Sequence, residues 1–407
     1  MTDIFPYDEL TWPEVAALPR DTPLILPLGK GYDLAKVAEA LGQPARIGLL
    51  PAIPYGWRGS GLAVPEPVLG QLVANLLDSL RDDGFSRVYA LTPPGIDLNL
   101  GPNRLALPHP TTGGRDRWGA SLGEQPGYYP PVLPLHPITP ASSPPSPHHL
   151  LILPIGHTEQ HGYHLPMNTD TLIIEAIGQG TAVTIPDLAT CLPVFPYGVS
   201  THRASFAGTL NCGGRTFEDF WLAVVDVLVG RGFDRFYLMS GHGGSCSFLV
   251  NVVKYAGERH RRIFCATAWL HTSGHLAAPV VQATRRSARG GMGHAGELET
   301  AMILHLRPDL VHMERVVDET DFVSTPNYYM DWIEGGDLVA NPPWDDDTKT
   351  GAYGAGSLAT PENGKLWLET GIAEKVVHVH EIHEQHHRRE ERRQAGYGLW
   401  GAVSGEQ

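Results

Sequence analysis

The chain is punctuated by short, mostly apolar runs without polar alternation, each followed by a longer stretch whose apolar positions recur at helical spacing. In the second half the runs fall near 150–155, 191–195, 235–239 and 263–269, and the helical stretches near 171–180, 216–231 and 246–260. Strands without polar alternation are buried on both faces, so this order predicts an α/β fold with a mostly parallel sheet covered on either side. Ligands of such sheets bind at the carboxyl ends of the strands. The loops that follow the apolar runs are therefore where chemistry is to be sought.

The first half carries a weaker version of the same pattern. Leu24-Ile25-Leu26-Pro27-Leu28-Gly29 returns as Leu151-Ile152-Leu153-Pro154-Ile155-Gly156, and Leu50-Pro51-Ala52-Ile53-Pro54-Tyr55-Gly56 as Leu192-Pro193-Val194-Phe195-Pro196-Tyr197-Gly198. Gly84-Phe85-Ser86-Arg87-Val88-Tyr89 likewise returns as Gly232-Phe233-Asp234-Arg235-Phe236-Tyr237. Same order and similar spacing read as an internal duplication of one α/β unit. A proline-dense stretch from Pro126 to Pro147 separates the copies and reads as an extended connector. The predicted domains are residues 1–125, the linker 126–147, and 148–407 with a C-terminal helix.

Composition narrows the class. At 407 residues, with 42% hydrophobic and 18% charged side chains, this is a globular chain long enough for two units. A formal charge of −14 argues against a nucleic-acid partner, which usually demands a basic footprint. No apolar run approaches the length of a membrane span, and the first residues lack a signal-peptide pattern. Four cysteines without metal-like spacing suit reduced thiols and a cytoplasmic protein, and Cys246 near His242 reads as a small buried residue rather than a nucleophile.

Chemistry concentrates where the copies differ. After the run ending at Ile155 come Gly156-His157-Thr158-Glu159-Gln160-His161-Gly162 and then Asp170; the first copy has only Lys30-Gly31-Tyr32-Asp33 at that place. Residues two apart in extended chain point the same way, so Glu159 and His161 aim an oxygen and an imidazole into one space, with a carboxylate returning at Asp170. That set suits zinc, manganese or iron. The run ending at Met239 leads to His242 in a Gly-rich turn, where the first copy has Thr92-Pro93-Pro94-Gly95, and a third junction offers His294, Glu297 and Glu299 at the start of a helix. Two other segments stand out. Residues 321–357 are aromatic and acidic, fitting a lid, a subunit-contact arm or an irregular surface excursion. The last helix carries His378, His380, His383, His386 and His387 and reads as a solvated face rather than a metal site.

Taken together, Leu153 to Pro166, Thr169-Asp170-Thr171, Phe195-Pro196-Tyr197-Gly198, Gly241-His242-Gly243-Gly244 and His294 to Thr300 resemble the creatininase (creatinine amidohydrolase) family. The likeness covers roughly residues 148–312, and Leu10-Thr11-Trp12-Pro13-Glu14-Val15 resembles the lead-in of a family domain. The resemblance implies a three-layer α/β/α sandwich, a two-metal centre and homo-oligomers, hexamers or trimers. Carried over, Glu159 and His242 hold one ion, His161 the other, and Asp170 bridges them. Where creatininase supplies a glutamate two residues after Gly-His, this chain has Gly244; Glu299 is assigned to that vacancy, with Glu297 as the runner-up. His294 is the expected proton donor to the leaving group, with Glu297 the other candidate for a catalytic role.

The implied activity is metal-dependent hydrolysis, in which two ions acidify a bridging water that attacks a carbonyl. A small cyclic amide or lactam is the expected substrate. A cyclic polyol ketone such as a dehydro-inosose, a short peptide or a formyl group, and a non-catalytic scaffold are the alternatives.

Overall fold

A computed structural model describes residues 2–110, 148–201 and 205–397. The expected linker at 126–147, and the domain boundary placed in it, lie outside these. Among the described residues the first half forms strands β1 (Asp3–Pro6), β2 (Leu24–Pro27), β3 (Arg46–Leu49), β4 (Val88–Thr92) and β5 (Arg104–Ala106), with helices α1 (Trp12–Ala17), α2 (Leu34–Ala40) and α3 (Glu66–Asp82). The second half supplies β6 (Leu150–Ile155), β7 (Ala189–Cys191), β8 (Arg235–Ser240) and β9 (Phe264–Thr267). Its helices are α4 (Thr169–Thr184), α5 (Gly214–Gly230), α6 (Gly243–Arg259), α7 (Ala277–Thr284), α8 (Glu297–Leu306) and α9 (Pro361–Gln394).

Two sheets result, in the orders β1-β3-β2-β4-β5 and β7-β6-β8-β9, and every ladder in them is parallel. Read from β3, the first order has the same pattern as the second. The likeness extends to detail. Both long helices α3 and α5 end on a glycine at φ +94, Gly84 and Gly232, whose N–H and that of the following Phe cap the last turn. Glycine adopts that left-handed backbone without a Cβ penalty. The run expected at 191–195 stops pairing at Cys191, because Pro193 and Pro196 have no N–H to give; a single bridge from Ile155 to Phe195 continues the direction.

All six residues of β6 are buried, and their alternation assigns them to two cores. Leu151, Leu153 and Ile155 join Phe236, Leu238, Phe217, Phe220 and Trp221 on the face covered by α5 and α6. Leu150 and Ile152 join Tyr237, Met239 and Val379 on the face covered by α4 and α9. The sheet therefore lies between two helical layers, as the fully apolar runs demand. The first sheet is treated likewise, with α3 on one face and α2 on the other.

The two halves share one core. Helix α3 packs on α5, and Leu24, Leu26, Leu69 and Leu76 belong to the same apolar cluster as Leu151 and Trp221. The N-terminal segment also grips the loop before α4: Met167 and Asn168 donate backbone N–H groups to the carbonyls of Leu10 and Asp8 at 2.9 and 3.0 Å. Trp12 reaches across to donate to the Thr350 carbonyl at 2.7 Å.

Candidate metal centre

Three junctions converge at the carboxyl edge of the second sheet. The loop after β6 brings Glu159 and His161, the first turn of α4 brings Asp170, the turn after β8 brings His242, and α8 brings Glu299. All five are buried. The approach is close enough to need glycine: a Cβ on Gly241 would lie 2.3 Å from the Asp170 carbonyl oxygen, so a side chain there would push the end of β8 away from α4.

His242 Nδ1 lies 2.9 Å from Glu159 Oε2 and 3.2 Å from Asp170 Oδ2, and His161 Nε2 lies 3.3 Å from Asp170 Oδ1 and 3.8 Å from Glu299 Oε2. The backbone decides what those nitrogens carry. His242 Nε2 donates to the Val199 carbonyl at 2.9 Å, and His161 Nδ1 donates to the Glu159 carbonyl at 2.9 Å. In a neutral imidazole the other nitrogen then holds a lone pair. Two lone pairs thus face carboxylate oxygens across about hydrogen-bond distance, an arrangement that repels unless a proton or a cation lies between. With protons alone, burial opposes the charge on both rings, yet the carboxylates hold His242 well above its usual pKa and His161 up at about 9. Burial raises Glu299 to about 7, while Asp170, despite its burial, is held well below the usual range by His161 and His242. Three buried carboxylates and two oriented imidazoles form a donor set suited to divalent ions of the zinc, manganese and iron type.

Supporting bonds hold the donors in place. Glu159 N donates to the Met167 carbonyl, the loop that the N-terminal segment grips, and Ser200 Oγ donates to Glu159 Oε1 at 3.0 Å. Glu299 accepts from Ala295 N at 2.6 Å and from Trp332 Nε1 at 3.3 Å. Ala295 sits at φ +52, a left-handed turn that folds the chain back between His294 and α8 and so lets Glu299 face inward.

The structure places the predicted residues unequally. Glu159, His161, Asp170, His242 and Glu299 meet. His294 joins them, its ring 4.2 Å from that of His161; its Nε2 donates to the Gln160 carbonyl at 2.7 Å, which leaves Nδ1 with the lone pair. Burial lowers its pKa to about 3. Glu297, expected as the runner-up ligand or a catalytic group, does not join them. Its carboxylate accepts from the backbone N–H groups of Arg286 and Ser287 at 2.7–3.1 Å, because the first residue of α8 points away from the cluster toward that loop. Gly244 explains the vacancy assigned to Glu299: a Cβ there would lie 2.5 Å from His242 Nε2 and 2.6 Å from the Val199 carbonyl, in the path of the bond that orients His242.

Trp332 and Trp344 come from the 321–357 segment, for which the sequence offered a lid, a contact arm or a surface excursion; Trp344 packs edge-on to His294 at 4.9 Å. His157 lies wholly buried beside His242; its motif position was visible, its orientation was not. Cys246 is buried in α6, and burial raises its thiol pKa. On α9, His378 meets the Tyr237 hydroxyl at 2.7 Å and His383 donates to the Leu188 carbonyl at 3.0 Å, so these histidines fasten the helix to the sheet. Among the described residues, the groups able to share an ion all lie in the centre.

The half of the chain that carries this centre is similar to known proteins. The family model for creatininase, described as creatinine amidohydrolase, matches residues 143–379, more than half of the chain. The chain belongs to the creatininase family. It is 32% identical to the mycofactocin precursor peptide peptidase of Mycobacterium ulcerans over 177 residues, 41% of this chain and 62% of that protein, so it spans less than two thirds of that relative. It is 29% identical to the creatinine amidohydrolase of Pseudomonas putida over 253 residues, 56% of this chain and 88% of the relative. It is 26% identical to the 3-dehydro-scyllo-inosose hydrolase of Thermotoga maritima over 209 residues, 47% of this chain and 61% of the relative. A solved structure of a mutant creatininase superposes with a TM-score of 0.50 at 25% identity, over 58% of this chain and 91% of its own. No helix among the described residues is long and apolar enough to cross a membrane.

Proposed function

We propose that the protein is a metal-dependent hydrolase that opens a small cyclic substrate of the amide or lactam type. The observation that carries this is the pair of histidine lone pairs, His161 Nε2 and His242 Nδ1, turned by backbone carbonyls onto three buried carboxylates. Glu159 and His242 would hold one divalent ion, His161 and Glu299 a second, with Asp170 reaching both; zinc, manganese and iron all suit the set. When bound, such ions supply Lewis acidity and lower the pKa of water toward neutrality. With Nε2 tied to the Gln160 carbonyl, His294 has Nδ1 as the nitrogen left to pass a proton to the departing nitrogen, and its lowered pKa makes the protonated ring a strong acid for that transfer. Trp332 steadies Glu299, and Trp344 seals the edge of His294.

Substrate size follows from the walls. The donor set is buried, Trp344 is 6% exposed, and Trp332 is tied to Glu299, features that support a compact substrate over an extended peptide. A cyclic polyol ketone is the second reading, favoured by the Thermotoga maritima relative. The reading includes a cytoplasmic homo-oligomer, trimeric or hexameric, which light scattering on the purified protein tests. It also includes descent of the first half from the same unit with loss of its ligands, supported by the matching strand order and helix caps.

The decisive experiment is a screen of the protein, reconstituted in turn with zinc, manganese and iron, against lactams, cyclic ureides and oxidised inositols. Turnover of one class, abolished by exhaustive chelation and restored by metal, is the expected result. Turnover unchanged by chelation overturns the proposal.

A further inference from the structure

Four buried histidines crowd the centre, and the backbone treats one of them in the opposite way from the others. His161, His242 and His294 each give an N–H to a main-chain carbonyl. His157 instead accepts: the backbone N–H of Gly198 donates to its Nδ1 at 2.8 Å. A neutral imidazole whose Nδ1 lone pair is occupied carries its proton on Nε2. That nitrogen is buried and has no hydrogen-bond partner among the described residues.

The ring is nevertheless part of the centre. It lies 4.3 Å from the His242 ring at an interplanar angle of 36°, and it offers a nitrogen within 4.8 Å of ligand atoms of both Glu159 and His242. By proximity alone it would count as a third ligand of that ion. Its tautomer argues otherwise, because a metal needs a lone pair on Nε2 and would force the proton onto Nδ1, against the Gly198 N–H. Adjacent residues impose the contrast: Gly198 presents its N–H to His157 while Val199 presents its carbonyl to His242. A Cβ at 198 would lie 2.5 Å from Ser245 Oγ, which accepts from Val199 N, so glycine lets this pair of backbone groups stay in place.

We infer that His157 is a fixed hydrogen-bond donor of this centre, not a ligand, and that its Nε2–H is directed at the oxygen a substrate presents to the ion held by Glu159 and His242. This rests on the metal-dependent reading above. A buried N–H left without an acceptor is costly, so it is retained where a bound oxygen completes it. Such a donor stabilises negative charge developing on that oxygen, the service that hydrogen-bond donors of an oxyanion hole perform.

Two substitutions separate donation from ligation. In H157N the Oδ1 atom takes the place of Nδ1 and can still accept from Gly198, but the shorter amide puts no N–H at the Nε2 position. In H157Q an amide N–H reaches toward the position of Nε2, restoring the donor. The probe is acetohydroxamate, an oxygen-donor ligand of divalent ions, titrated into the zinc-loaded full chain. H157N is expected to keep the wild-type zinc content and a chelator midpoint within about threefold, while acetohydroxamate binding weakens by roughly tenfold to a hundredfold, the range for a bond to a charged oxygen. H157Q is expected to recover most of that loss. Long-range 1H–15N correlation of the histidine-labelled zinc protein should show His157 protonated on Nε2. Loss of zinc from H157N alone, unweakened acetohydroxamate binding, or a His157 protonated on Nδ1 would each overturn the inference and leave the metal reading standing. A wild-type protein that takes up no zinc, manganese or iron would end both.

Discussion

At the carboxyl edge of the second sheet the chain gathers three carboxylates and four histidines; at the same edge of the first it gathers aromatic rings. Gly29, which stands where the second half has Gly156, is so closely overlaid that a Cβ on it would lie 2.7 Å from both Trp57 and His109. Tyr32 and Trp57 each pack edge-on against His109, at 4.7 and 5.1 Å. The strand order is shared, and so are the bonds that carry it: Gly29 N to the Ile53 carbonyl in one half, Gly156 N to the Phe195 carbonyl in the other. A parallel sheet with its helices is thus a frame whose edge can be packed shut or furnished with donors. Which it becomes depends on a handful of loop residues.

The comparison can be broken most forcefully at Asp170, which reaches both histidine lone pairs. D170N should lower metal affinity by more than about a hundredfold, beyond the usual cost of disturbing a supporting bond, and abolish turnover; metal analysis after dialysis and the substrate screen check this. H294A should keep its ions yet lose roughly 10²- to 10⁴-fold in turnover, the contribution expected of a proton-transfer group. An H294A protein with full turnover would remove His294 from the chemistry. In the first half W57A should do the converse. Removing a buried Trp costs about 3–5 kcal/mol of stability, so the urea midpoint should fall while the metal content of the folded protein stays at wild type.

The smallest effect concerns α9, which packs on the second half. Its buried Glu374 accepts from Leu276 N and Ala277 N and pairs with Lys375 at 2.8 Å. Burial opposes its ionisation, but Lys375 and the Ala277 N–H hold its pKa below the ordinary value. A depressed carboxylate contributes stability that is present above its unfolded pKa, about 4.3, and is lost as pH falls through the folded value. E374Q should therefore be less stable than wild type at pH 7, with the gap closing below about pH 4; equal stability at both pH values would show that the pair does nothing.

Much of this was legible beforehand, and the failures have physical causes. The β6 and β8 runs are apolar at nearly every position because both faces are covered, so their ends were visible, and with them Glu159, His161 and His242. Glu299 and Glu297 could not be ranked from spacing. Both lie in the first turn of α8, and only the left-handed Ala295 before it decides which of them turns inward. The 321–357 segment has no periodicity, so its aromatic make-up left a lid open among other roles without showing which ligand each Trp would meet. His383 and His378 were legible only as a helix face, since their partners, Leu188 and Tyr237, come from the sheet and the loop beside it.

By itself the chain's order of apolar runs and polar loops determined the parallel α/β frame, its repeated pattern, and the strand ends at which donors collect, because burial on two faces and strand direction are local consequences of residue type. The tertiary structure alone decided which nitrogen of each histidine carries the proton. That choice is made by backbone groups such as the Gly198 N–H and the Val199 carbonyl, which are distant in sequence and become partners only when the strands lie side by side.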